Sequence, residues 1–123
     1  MAVIPYEKVV TPMDGSSIIL IKWEALTKTT NDTGQPYICP NFADKSVQVI
    51  GTFGVGGTCT IQGSNMPSTP TYATLTDPQG NALTITAAKI EQVLENTYLV
   101  RPAITGGDAT TDLDVYMLIY SSR

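Results

Sequence analysis

The chain has no histidine and only two cysteines among its 123 residues. Without histidine the usual Ser–His base is missing, and no SxxK motif takes its place. Zinc sites draw on His and on closely paired Cys, and neither Cys39 nor Cys59 has a CxxC partner. Two cysteines do not make a disulfide framework, so both read as small unpaired hydrophobes. No metal and no cofactor are expected. Positive charge is also scarce: seven Lys and Arg lie singly along a chain of net charge −4. Nucleic-acid binding needs clustered cations that displace phosphate counterions, so it is not expected. The apolar run Ile18–Ile21 falls far short of the ~20 residues that span a bilayer, so no membrane partner is expected. The opening MAVIPYEK lacks a basic start and a long apolar segment, which argues against a signal peptide. Charged residues make up 15% of the chain, against about 25% in ordinary globular domains. Ser, Thr, Asn, Gln and Gly must cover the surface, which suits a protein that works packed against others.

What the chain does have is alternation. In Ser46–Asn65, SVQVIGTFGVGGTCTIQGSN, Val47, Val49 and Phe53 share one parity and Gln48 and Thr52 the other. Beyond the glycines, Cys59 and Ile61 oppose Thr58, Thr60 and Gln62. Side chains alternate across a pleated strand, so two half-buried strands are predicted, paired as a β-hairpin around Gly54–Gly57. Ser17–Glu24, SIILIKWE, is a dense β-branched strand with apolar residues on both faces. Asp112–Tyr120, DLDVYMLIY, puts Leu113, Val115, Met117 and Ile119 on one face and Tyr116, Leu118 and Tyr120 on the other. Both must be central or covered twice. Tyr37–Phe42 carries Pro40 and reads as an edge segment, and Tyr98–Thr105 carries Pro102, which places it near an edge or a bulge. Asp77-Pro78-Gln79-Gly80 has the residues of a type I turn, with Tyr72–Thr76 and Ala82–Thr86 paired across it. Ala87–Glu95 is the one helix-like patch, with Ile90, Val93 and Leu94 at helical spacing and Thr86 as its cap. Seven or eight short strands with frequent turns predict an all-β fold: an antiparallel, jelly-roll-like β-sandwich with at most one short helix. Residues 1–16 form an irregular N-terminal arm, broken by Pro5 and Pro12, and residues 17–123 a single domain.

Few groupings carry chemistry. The glycines at 51, 54, 56 and 57 lack the Lys-Ser/Thr pair and helix of a phosphate-binding loop, and read as a turn. Asp112 and Asp114, with Asp108, supply too few oxygens for Ca²⁺, which takes 6–8 ligands. Glu91 and Glu95 fall one turn apart on the helical patch, with no cleft to set them across a glycosidic bond. No enzyme is expected. Trp23, inside the strongest strand, reads as core. Tyr72 and Tyr98, beside loops, are the better candidates for surface contact. The arm is oddly apolar. Ala2, Val3, Ile4, Tyr6, Val9 and Val10 either tuck along their own domain or lie on a partner.

The segment SVQVIGTFGVGGTCTIQGSN, the turn LTDPQGN, and IEQVLENTYLVRPAITGGD with its hydrophobic last strand resemble small virion proteins of tailed bacteriophages. In particular they are similar to the capsid cement, or decoration, proteins with a jelly-roll-like sandwich. The resemblance spans about residues 46–120, through GTF…QGSN and RP..TGG. It implies a structural protein made in the host bacterial cytoplasm and placed on the outer surface of the virion capsid. There it would bind the assembled head and bridge neighbouring major capsid protein subunits, stabilising the shell against genome pressure. Such proteins act as homo-dimers or homo-trimers at lattice symmetry axes. Related modules in tail and fibre parts supply the competing expectation, a carbohydrate- or receptor-binding β-module using Tyr72 and Tyr98.

Overall fold

The computed structural model describes residues 3–10, 18–28, 32–39 and 42–121. They form a sandwich of two antiparallel-rich sheets, and no helix occurs among them. The strands are β1 (Val3–Ile4), β2 (Glu7–Val10), β3 (Ile18–Thr27), β4 (Thr33–Gly34), β5 (Tyr37–Ile38) and β6 (Phe42–Thr52). They continue as β7 (Thr58–Ser64), β8 (Ala73–Thr74), β9 (Thr84–Ile85), β10 (Lys89–Val93), β11 (Leu99–Thr105) and β12 (Asp112–Ser121). One sheet, here sheet B, has the order β10-β6-β12-β3-β2. The other, sheet A, runs β1-β4-β11-β7-β8, with β5 also on β11 and β9 also on β7.

The alternation in the sequence is the alternation in the structure. Ile21, Trp23, Val47, Val49, Leu113, Val115, Met117 and Ile119 point inward from sheet B and are fully buried. They meet Cys59, Ile61, Val100 and Ile104 from sheet A. Trp23 is core, as its strand suggested, and its indole Nε1–H donates to the Gln35 carbonyl at 3.0 Å. A buried N–H needs such an acceptor. Both cysteines are buried and unpaired. At Ala25 the backbone turns to φ 63, and the pairing of β3 with β12 shifts register there. Its N–H donates instead to Asp114 Oδ1 at 3.0 Å. This bulge lets Trp23 and Leu26, three residues apart, both face the core.

Several expectations change. The strands of Ser46–Asn65 do not pair with each other. β6 belongs to sheet B and β7 to sheet A, so Gly54–Gly57 is an arch between layers rather than a hairpin turn. Alternation specifies which face is buried, and both strands bury theirs in one core from opposite sides. Gly51, Gly54 and Gly56 take positive φ to bend the chain across. Ala87–Glu95 is not helical. Lys89–Val93 adds β10 to the edge of β6, in register from Lys89↔Val49 to Val93↔Lys45. A helix this short nucleates poorly, whereas an open sheet edge offers a hydrogen bond for nearly every residue laid on it.

β11 is not an edge strand. Pro102 is tolerated inside the sheet because of where its nitrogen points. Its partner Ile61 directs its own N–H to Leu83 O and its carbonyl to Leu75 N, both on the far side of β7. Pro102 therefore faces the other way, into the gap between β5 at Leu99 and Val100 and β4 at Ala103, where no donor is needed. The Asp77–Gly80 turn is present, with Gly80 N–H on Asp77 O at 2.9 Å and the Thr76↔Ala82 bridge behind it. Residues 3–10 are not irregular. β1 joins sheet A beside β4, and β2 closes the edge of sheet B beside β3.

Candidate interaction surface

The register of sheet B builds an apolar outer face. Directly opposed residues in a β-ladder share a face, so one row runs Val9, Leu20, Leu118, Ser46, Gln92 across five strands. The next runs Glu7, Lys22, Tyr116, Gln48, Ile90. A third sets Ile18 beside Tyr120 and Asp44. Leu20, Tyr116, Leu118 and Ile90, with Ser46 and Gln48, line a shallow groove of about 370 Å³. Among the described residues no second layer covers this face. Ile90 is 62% exposed and Tyr120 40%. At one side Lys22 Nζ pairs with Glu7 at 3.2 Å and Glu24 at 3.7 Å, and these contacts raise the Lys22 pKa, the Glu7 hydrogen bond most. An apolar centre with a charged rim is the anatomy of a protein–protein interface.

The sequence-derived contact residues are scattered by comparison. Ala2 lies outside the described residues. Val3, 58% exposed, sits on β1 opposite Thr33. Ile4 and Tyr6 turn inward against the core, Tyr6 packing edge-on to Tyr37 at 5.2 Å. Val10 pairs with Ile19. Val9 is the one apolar residue of the arm, among those described, that joins the apolar face, beside Leu20. Tyr72 and Tyr98 lie at the other sheet. The Arg101 guanidinium stacks on the Tyr72 ring at 3.7 Å, so that ring is already occupied. Tyr98 is tied through its N–H to Asn65 Oδ1 at 2.9 Å. Leu20, Tyr116, Leu118 and Ile90 were missed as contact residues. For Leu20, Tyr116 and Leu118 the signal was the double-sided apolar pattern of SIILIKWE and DLDVYMLIY; Ile90 was hidden in the segment read as a helix.

No protein-family model, curated protein or solved structure matches the chain. Its function must be argued from its surfaces.

Four carboxylates have local structural partners. Asp77 and Glu91 line a hollow of about 190 Å³. Asp77 Oδ1 accepts from the N–H groups of Gln79 and Asn81, each at 3.0 Å, and Glu91 pairs with Lys89 at 3.0 Å. Glu95 accepts from the Thr76 N–H at 2.8 Å and from the Thr76 hydroxyl. Burial works to raise its pKa, but these bonds prevail and hold it below the usual range. Asp108 staples the arch: Oδ2 accepts from Val55 N–H at 3.0 Å, and Oδ1 from the Thr110 N–H and hydroxyl. Those bonds, led by the Thr110 hydroxyl, depress its pKa. Among the described residues no group of three or more Cys, Asp and Glu converges as a metal site. On sheet A, Thr33, Gln62, Arg101 and Thr105, together with Ala103 and Ile104, line a hollow of about 440 Å³.

Proposed function

We propose that this chain is a structural virion protein of a tailed phage, binding the outside of the assembled head and bridging neighbouring coat subunits. The observation that carries the reading is the apolar outer face of sheet B, with Leu20, Tyr116, Leu118 and Ile90 at its centre. The resemblance of residues 46–120 to capsid cement proteins agrees with it. A rigid sandwich presenting an apolar sheet face acts by adhesion. A clamp touching two subunits gains affinity only where the lattice holds both epitopes in place, through effective concentration. It would bind mature heads, ignore free coat protein, and stiffen the seams that genome pressure loads. Two or three copies at a symmetry axis would multiply the effect.

The test mixes the purified chain with heads of the phage that encodes it and with unassembled coat protein. Sedimentation with heads alone supports the proposal, and equal binding to both, or to neither, refutes it. Leu118→Lys places a charge at the centre of the face and should weaken head binding at least tenfold, while changing stability by less than about 1 kcal/mol. Wild-type binding by that variant would remove the face from consideration.

A second reading, a carbohydrate- or receptor-binding module of a tail appendage, is favoured by the hollow where Arg101, Gln62 and Thr33 offer polar groups. Tyr72, covered by Arg101, would serve it poorly as a stacking platform. Glycan-array binding lost on Arg101→Ala would favour this reading.

A further inference from the structure

Lys45 is 1% exposed. It sits on the inner face of β6, level with Ile119 and Val93. Its Nζ donates to Oδ1 of Asn96 at 2.9 Å, its one hydrogen-bond partner among the described residues. An ammonium carries three donors, and burying one with a single acceptor is costly. A neutral amine suits the place better. Burial accordingly lowers the pKa of Lys45, against the opposing pull of Cys39, Asp44 and Glu95. A neutral lysine amine is a nucleophile. The carboxamide carbon of Asn96 is one bond beyond the oxygen it touches. Glu95, the preceding residue, is electrostatically coupled to Lys45 and is held in place by Thr76.

We propose that Lys45 and Asn96 form an intramolecular isopeptide cross-link, made by the folded chain itself. The Nζ lone pair attacks Asn96 Cγ and a new C–N bond forms. As it forms, one Nζ proton passes to the departing amide nitrogen. The old C–N bond breaks and ammonia is released. The balance needs no oxidant, metal or co-reactant. Asn96 lies at the surface, so ammonia escapes to solvent. The bond joins residues 51 apart in the chain. It fastens a strand inside sheet B to the segment that crosses from β10 to β11, and so to sheet A. This holds wherever the protein works, and it suits a protein under mechanical load.

The test is intact mass spectrometry of the purified full-length chain, reduced and denatured. The expected mass is about 17 Da below that of the sequence, one ammonia. Trypsin should fail to cut after Lys45, and a branched peptide should join the segments holding Lys45 and Asn96. Lys45→Met should restore the full mass. A folded wild-type chain that keeps its full mass on prolonged incubation, with Lys45 cut normally by trypsin, overturns the proposal. So does a mass loss that persists in K45M, which marks cyclisation at Asn96 itself. If K45M does not fold, the branched peptide in the wild type still decides.

Discussion

Cys59 faces the core from the middle of sheet A at zero exposure, and burial pushes its thiol from an ordinary 9.0 up to about 12. A hydrogen bond with the Ala103 backbone pulls the other way and is outweighed. The perturbation is alkaline pH. Between 9 and 12 the unfolded chain carries a thiolate while the folded chain keeps a neutral thiol, so the unfolded state binds fewer protons and stability falls as pH rises. The contribution is complete below the unfolded value and is lost through that window. Each unit is worth about 1.4 kcal/mol, which gives about 2 kcal/mol lost near pH 10.5 and a ceiling of about 4 kcal/mol at the top. Against a total of about 5–15 kcal/mol this is a large share. The assay is urea unfolding at neutral pH and near that alkaline value, for the wild type and for Cys59→Ala. The variant carries a cavity cost that is the same at both pH values. Tyr37, Tyr72 and Cys39, also raised by burial, are common to both proteins and cancel in the difference. The wild type should lose about 2 kcal/mol more than the variant. Equal alkaline losses in the two proteins would refute the reasoning.

The glycines of the turns should differ sharply. A methyl at Gly57 would overlap the Phe53 carbonyl, so Gly57→Ala should open the arch and cost about 2–4 kcal/mol by chemical denaturation. Gly80 has open space around it and only its φ of +89 to defend, so Gly80→Ala should cost about 1 kcal/mol. Asp108→Asn should lower the melting temperature at neutral pH and flatten its acid dependence. The depressed carboxylate stabilises above its unfolded pKa, and that contribution disappears as pH falls through the folded one. In the folded protein both cysteines should resist a thiol reagent that labels them fully in urea, because each is buried.

Face was legible in the chain, and neighbour was not. Val47, Val49, Cys59 and Ile61 announced their burial through parity, yet parity is the same whether two strands pair or oppose one another across a core. Lys45 shares the parity of Val47 and Val49, so its inward position was written in the sequence. A charged residue there is easily discounted without the Asn96 acceptor, which comes from a distant segment. In Ala87–Glu95 helical spacing was real, but Ile90 and Leu94 are exposed and only Val93 is buried. The free edge of β6 decided the outcome, and no local window contains it. Pro102 argued for an edge because proline removes a donor. Its tolerance inside sheet A depends on Ile61 turning both polar groups towards β8 and β9, a tertiary fact. The apolar outer face of sheet B was visible as double-sided strands, although its contact residues were sought in the arm and among the tyrosines.

β12, the last described strand in chain order, is hydrogen-bonded to β6 on one side and to β3 on the other. A ribosome delivers the keystone of this sheet after every other piece. Until then β3 and β6 have no common neighbour, and their apolar edges stay open to whatever else is in the cell. Premature termination before residue 112 should therefore leave no smaller native protein, only a sticky nascent chain. Completed chains should fold slowly, because the pairing that matters most joins segments far apart in the sequence.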